Sequence, residues 1–393
     1  MMIFLVALIA LALIPTLVLF VEVLAALGAR SEYETGNGTT AGPVAVVVPA
    51  HNEGRGIIPT LEDVIPQLRR RDRLIVVADN CTDDTAAVSG AHGAEVLPRD
   101  EPDRRGKGYA MAWAIAHLKQ NPPEFVLFVD ADCRLQPDFL AKTLGYSVET
   151  GGPVQALYLM TGVEGVQVDQ RVAEFAWRLK NWVRPLGLRC LGRPVQLMGT
   201  GMIFPWEVIN SAPLASGNIV EDLKLGLDLA LSGTPARFLS AVRVTSEFAA
   251  TERGVESQRR RWIEGHLAMI GSYVPRLLAA SIARRNPDAL VLALDLVVPP
   301  LSLLVAIALG VAALGGTYTL LIGALLPAVL ALLNLSLLAS ALALAWFRFG
   351  RDILPASRIP SVAGQVLHRF RLLRHLVRRG SSGWVRTDRH KPE

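Results

Sequence analysis

The chain is poor in cysteine, with 3 in 393 residues. Cys81, Cys133 and Cys190 stand far apart, which excludes a disulfide scaffold and a zinc knuckle and marks them as free thiols of a reducing compartment. Charge is also scarce: Asp, Glu, Lys and Arg make up 19% of the residues, against about 25% in ordinary soluble domains. Two nucleotide-binding signatures are missing. No Gly-x-Gly-x-x-Gly follows a strand-like run, which argues against a dinucleotide fold. Gly106-Lys107-Gly108 lacks the spacing and the hydroxyl residue of a P-loop. There is no internal repeat and no low-complexity tract. The apolar share of 51% excludes a disordered chain.

The apolar residues gather in long runs. Residues 3–27 carry one charge, Glu22; residues 289–314 carry Asp295; residues 318–347 carry none. Each is long enough to cross a bilayer, which takes about 20 residues. The first run lacks the basic lead of a signal peptide and reads as a retained span. Arg30 follows the first run, Arg284 and Arg285 precede the second, and Arg348 and Arg351 follow the third. Counting positive charge inside places residues 30–287 and the C-terminal tail in the cytoplasm of a multi-pass plasma-membrane protein. The short link 315–317 then lies outside. Asp295 reads either as a boundary residue ahead of the second span or as a group facing an acceptor cleft where Pro299-Pro300 bends the helix.

Net charge is +5, but residues 348–393 hold eleven Lys and Arg against three acidic residues. The basic excess is a property of the tail. An amphipathic pattern over 362–379 suits anionic lipid, and the tail lacks the spaced aromatics of a nucleic-acid binder. A second amphipathic segment, 166–189, mixes Trp177 and Trp182 with basic residues, as interfacial helices do.

The middle of the chain reads as an α/β unit. Residues 44–48, 74–78 and 125–129 are short β-branched or apolar runs, and 57–71 and 107–120 have helical spacing between them. This pattern predicts a parallel sheet buried on both faces, with ligands at the carboxyl ends of its strands. The expected organisation is a span over 1–29, a linker over 30–43, a catalytic domain over 44–287 with interfacial helices, two spans over 288–347 and a basic tail over 348–393.

Acidic residues cluster where these strands end. The second run closes on Asp79, followed by Asp83 and Asp84; the third closes on Asp130-Ala131-Asp132. Two carboxylates at a crevice suit Mg²⁺ or Mn²⁺ bridging to phosphates, although a bare Asp-x-Asp is also an ordinary acidic turn. The first run ends in Pro49-Ala50-His51-Asn52-Glu53-Gly54, where Pro49 is expected to stop the ladder. Lys107 and exposed N–H groups at a helix start suit a phosphate. Glu221-Asp222 reads either as a helix start or as an acidic site. Gln258-Arg259-Arg260-Arg261-Trp262 reads either as a diphosphate clamp or as a basic helix near lipid.

Together and in this order, these stretches resemble a family 2 glycosyltransferase of the membrane group that includes cellulose, chitin and hyaluronan synthases and lipid-directed transferases. The matching residues run from Val46-Val47-Val48-Pro49 to Gln258-x-x-Arg261-Trp262, over about 44–270, and include Gly199-Thr200-Gly201. The resemblance implies a GT-A fold, a Rossmann-like mixed sheet, joined to one N-terminal and two C-terminal transmembrane helices. It implies inverting transfer from a nucleotide-sugar to a lipid or growing glycan. Pro49, Ala50, Glu53 and Asp79 would hold the nucleoside. Lys107 and Asp130 would meet the donor, and Asp132 the divalent cation. Asp222 would be the general base. Gln258 and Arg261 would hold the diphosphate, with Trp262, Gly199, Thr200 and Gly201 towards the acceptor. Trp384 to Arg389 is similar to a gating segment of some synthases. A processive synthase, working as a homo-oligomer or with export partners, and an inactive scaffold of the same fold are the competing readings.

Overall fold

The computed structural model describes residues 1–29, 41–162, 168–249 and 252–359. The tail patterns at 362–379 and 384–389 and most of the linker lie outside the described residues. The chain divides into two compact units.

Among the described residues, one unit comprises 41–162, 193–249 and 252–265. Its centre is an eight-stranded mixed sheet, order β3-β2-β1-β4-β7-β6-β8-β5. The strands are β1 (Val44–Ala50), β2 (Arg73–Asp79), β3 (Glu95–Arg99), β4 (Phe125–Phe128), β5 (Arg134–Leu135), β6 (Val154–Thr161), β7 (Met202–Pro205) and β8 (Arg237–Glu247). The first four pair in parallel, β3 to β2 to β1 to β4. Beyond them β4 and β6 run antiparallel to β7. Val44 through Val48 and Val126 through Phe128 are almost wholly buried. That is why these runs are apolar on both faces rather than alternating.

The strand over β1 runs two residues further than expected. Pro49 stays in register with Val77, and Ala50 with Ala78. Pairing with β4 has already ended at Val47 opposite Phe128. Past that point β1 is an edge on one side, where a proline's missing N–H costs no ladder bond.

Helices α2 (Ile58–Val64), α3 (Thr85–Ala91), α4 (Lys107–Leu118), α5 (Phe139–Thr150), α8 (Trp206–Asn210) and α9 (Glu221–Leu231) pack on this sheet. The helix expected over 57–71 is shorter as α-helix. It is flanked by 3₁₀ turns at Gly54–Ile57 and Ile65–Gln67, with a proline in the second. Phe128 and Phe204 meet edge-on at 5.9 Å between ring centroids in the core beneath α4 and α9.

The other unit comprises, among the described residues, 1–29, 168–192 and 266–359. It contains α1 (Met2–Leu27), α6 (Val168–Arg178), a π-helical turn (Leu179–Val183), α7 (Arg184–Cys190), α11 (Pro287–Leu296), α12 (Leu301–Ile322) and α13 (Leu325–Phe349). Helix α10 (Glu252–Ala283) belongs to the first unit up to Gly265 and to this one from His266. Three of these helices, α1, α12 and α13, are long and apolar enough to cross a membrane.

Two boundaries differ from the sequence expectation. The second span does not begin near residue 289. A separate helix, α11, is capped there by Asn286, whose side chain accepts from the N–H groups of Asp288 and Ala289, with Pro287 at the first position. It ends before Pro299-Pro300. The link between the last two spans is not at 315–317 either. Helix α12 continues to Ile322 and closes on Gly323 at φ +79°, whose N–H donates to Thr319 O at 2.8 Å. Gly315 has another use. A Cβ there would lie 2.8 Å from Pro327 O, so its hydrogen lets α12 and α13 approach closely.

Asp295, expected at a boundary or a cleft, is buried. Arg184 donates to its carboxylate and to its carbonyl, and donates through Nε to Glu22 Oε2 at 2.7 Å. A Cβ on Gly187, one turn along, would lie 2.0 Å from Glu22 O, so α7 crosses α1 at backbone distance. His266 hydrogen-bonds Leu296 O at 3.0 Å, and burial pushes its imidazole down to about 4.

Candidate active site

The carboxyl ends of β1, β2 and β4, the first turns of α4 and α9, the segment ahead of β7 and the first half of α10 carry the sequence-expected residues, all within the sheet-containing unit. At the end of β1 the chain turns through Asn52 and Gly54, both at positive φ. The N–H groups of Glu53 and Gly54 donate to Thr85 Oγ1 at 2.9 and 2.8 Å, and the Thr85 hydroxyl in turn meets Asp83. His51 Nδ1 meets Asp79 O at 2.7 Å, and Asn52 Oδ1 accepts from Thr82 N. Pro49, Ala50, Glu53 and Asp79 are thereby held on two interlocked loops.

Asp79 is buried against Arg99, a residue the sequence reading did not single out. Arg99 ends β3 and donates to Asp79 Oδ1, to Glu101 Oε2 and to Arg104 O, while its guanidinium lies 5.6 Å from the ring centroid of Tyr109. Asn80 Nδ2 donates to the same Asp79 oxygen. Burial pushes the Asp79 carboxyl up, and Arg99 pulls it back. The register of Asp79 opposite Arg99 was the only available signal, and an isolated sequence does not display register.

Beyond β4, Asp130, Asp132 and Cys133 bring their ligand atoms within 4.8 Å of one another. Burial, and secondarily the charge of Asp130, pushes the Cys133 thiol up to about 12, and sulfur is a soft donor that Mg²⁺ and Mn²⁺ do not prefer. What remains is carboxylate oxygen, the hard donor that Mg²⁺ and Mn²⁺ take. The residues present therefore fit a divalent cation.

Gly199-Thr200-Gly201 supports this loop from behind. Thr200 is fully buried and its hydroxyl accepts from Asp130 N at 3.0 Å. Gly201 N donates to Phe128 O, and a Cβ on Gly201 would come 2.9 Å from Val244. Gly199, at φ +97°, faces Asp222 and Lys107. A Cβ there would lie 3.2 Å from Asp222 Oδ2 and 3.6 Å from Lys107 Nζ.

Lys107 opens α4. Its ammonium pairs with Asp130 and donates to Gly199 O at 2.7 Å. The next residue must be glycine, since a Cβ on Gly108 would sit 2.8 Å from both Leu214 O and Ser216 O. Glu221 and Asp222 form the first turn of α9, which is anchored by buried Leu223, Leu225 and Leu227. Burial, with Asp222 adjacent, pushes the Glu221 carboxyl up to about 8.

Helix α10 comes against this turn: a Cβ on Gly265 would lie 2.6 Å from Val220. Gln258 is buried, and Arg261 and Trp262 are partly so. Burial lowers the basicity of Arg261, and the charge of Glu221 counteracts it. Lys107, Asp130, Asp132, Gly199, Thr200 and Asp222 thus come from separate segments of the chain to one rim of the sheet.

Residues 41–265, more than half of the chain, match the family model described as glycosyltransferase like family 2. Among curated proteins, a glucosyl-3-phosphoglycerate synthase of Mycolicibacterium smegmatis is 32% identical over 45% of this chain and 61% of its own length. A glucomannan 4-beta-mannosyltransferase of Oryza sativa is 26% identical over 57% of this chain and 46% of its own. The chain spans about half to three-fifths of these relatives. Among solved structures, a mannosyltransferase from Pyrobaculum calidifontis in complex with GDP-Man and Mn²⁺ aligns with TM-score 0.52 at 18% identity, over 88% of this chain and 98% of that one. At that identity the likeness is one of fold, and it is the GT-A fold.

Proposed function

We propose that this chain, which belongs to glycosyltransferase-like family 2, transfers a sugar from a nucleotide-sugar donor to an acceptor held in the membrane, with inversion at the sugar carbon. The observation that carries this reading is the meeting of Asp130, Asp132, Lys107 and Asp222 around Gly199 and Thr200. It supplies separate carboxylates for a cation and for a proton. Asp79 and Glu53 bind the nucleoside on the β1 and β2 loops. Asp132, with Asp130, would hold Mg²⁺ or Mn²⁺, which would supply positive charge beside the diphosphate. Lys107 and Arg261 meet the charge developing on the diphosphate. Asp222 takes the proton of the attacking acceptor group as the bond from the sugar to the diphosphate breaks.

The test is a panel of UDP-, GDP- and dTDP-sugars offered to membranes bearing the protein, with released nucleotide as the readout. We expect release with at least one donor, stimulation by lipid extract, and loss in Asp132→Asn. No consumption of any donor, or full turnover in excess chelator, refutes the reading.

The membrane location of the acceptor rests on α1, α12 and α13. Arg284 and Arg285 before α11, and Arg348 and Arg351 after α13, favour a cytoplasmic sheet unit, which is where nucleotide-sugars are made available. A reporter inserted at 323–324 is then expected outside and one at the C-terminus inside. The reverse pattern removes this orientation.

A further inference from the structure

One ammonium stands among the carboxylates of the candidate site. Lys107 Nζ pairs with Asp130 and donates to Gly199 O at 2.7 Å, and the carboxylates of Glu221 and Asp222 also act on it. Asp130 is at the same time one of the oxygen donors close enough to share a cation with Asp132. A lysine ammonium and a divalent cation repel each other, and both are drawn to the same carboxylate. Lys107 also begins α4, so its backbone lies where a helix start favours anions, and its flexible four-carbon stem lets the ammonium change partners.

We propose that Lys107 makes cation binding conditional on the donor: the ammonium holds Asp130 until a diphosphate draws it away, and the cation then enters beside Asp132. This inference rests on the transferase reading above and adds to it an order of loading and the residue that imposes it. Binding of cation and diphosphate becomes cooperative through Lys107, and by linkage the cooperativity is the same measured from either ligand. The site is thereby kept from filling with cation alone.

Mn²⁺ binding to the purified full chain, read by electron paramagnetic resonance with and without UDP, GDP or dTDP, tests this. In the unaltered protein we expect Mn²⁺ alone to bind weakly, and the nucleoside diphosphate that binds to tighten it by about 10- to 100-fold, within the usual range of coupling between sites. In Lys107→Gln, Mn²⁺ alone should bind about tenfold tighter, and the added effect of the nucleotide should fall to about threefold or less. Lys107→Arg keeps the positive charge and should keep most of the coupling. Equal coupling in the unaltered protein and in Lys107→Gln overturns the inference. So does a Lys107→Arg variant that behaves like Lys107→Gln, since that pattern means the residue acts through packing. If the unaltered protein binds none of the three nucleoside diphosphates, the transferase reading falls as well.

Discussion

Asp222→Asn is expected to lower sugar transfer by about 10²- to 10⁴-fold, the usual contribution of a positioned general base, while nucleoside diphosphate affinity stays within about threefold. The side chain keeps its shape but can no longer accept a proton. Its position argues for the role. Asp222 sits in the first turn of α9, and its Oδ2 lies against Gly199, where any Cβ would crowd it at 3.2 Å. Burial, and after it the charge of Asp222, pushes the carboxyl of Glu221 beside it up. Calorimetric nucleotide binding and single-turnover transfer, measured on one preparation, separate the alternatives. Loss of nucleotide binding with intact turnover of bound donor would move Asp222 to the donor site and leave the base unassigned.

Much of the sheet and its rim could be read before any coordinates. Val44 through Val48 and Phe125 through Phe128 are buried on both faces, so they are continuous in apolar character, and each run ends in polar residues at its carboxyl end. Local order alone carried Asp130-Ala131-Asp132, Gly106-Lys107-Gly108 and Glu221-Asp222. What sequence did not display were pairings between distant segments. Arg99 orients Asp79 through strand register. Thr200 acts on the backbone of Asp130 from 70 residues away. The span boundaries moved for a related reason. Gly315-Gly316 reads as a turn in a hydropathy profile, yet Gly315 serves close helix packing and the turn falls at Gly323. Asp295 looked like an isolated charge because its cation, Arg184, is 111 residues away.

Arg184→Met is expected to destabilise the helical unit by about 3–5 kcal/mol, the usual cost of removing one partner from a buried ion pair. Arg184, Glu22 and Asp295 have side-chain exposures of 7, 2 and 6%. They join α7, α1 and α11 through one guanidinium, which spans both carboxylates and also caps the Asp295 carbonyl. Methionine fills similar volume but leaves two buried carboxylates facing each other without their cation. Glu22 Oε1 already makes no hydrogen bond, so the site has no spare donor to cover the loss. Glu22→Gln removes one charge and keeps a hydrogen-bonding group, and should cost less. In the triple variant Arg184→Met, Glu22→Gln, Asp295→Asn no buried charge is left unmatched, because removing every member of a buried ionic cluster is often close to neutral. Most of the loss should therefore be recovered, and the effects should be strongly non-additive. Thermal unfolding of the detergent-solubilised protein measures all three. Additive losses, with the triple variant the least stable, would mean that these side chains contribute through separate packing contacts and that the charges do not act as one group.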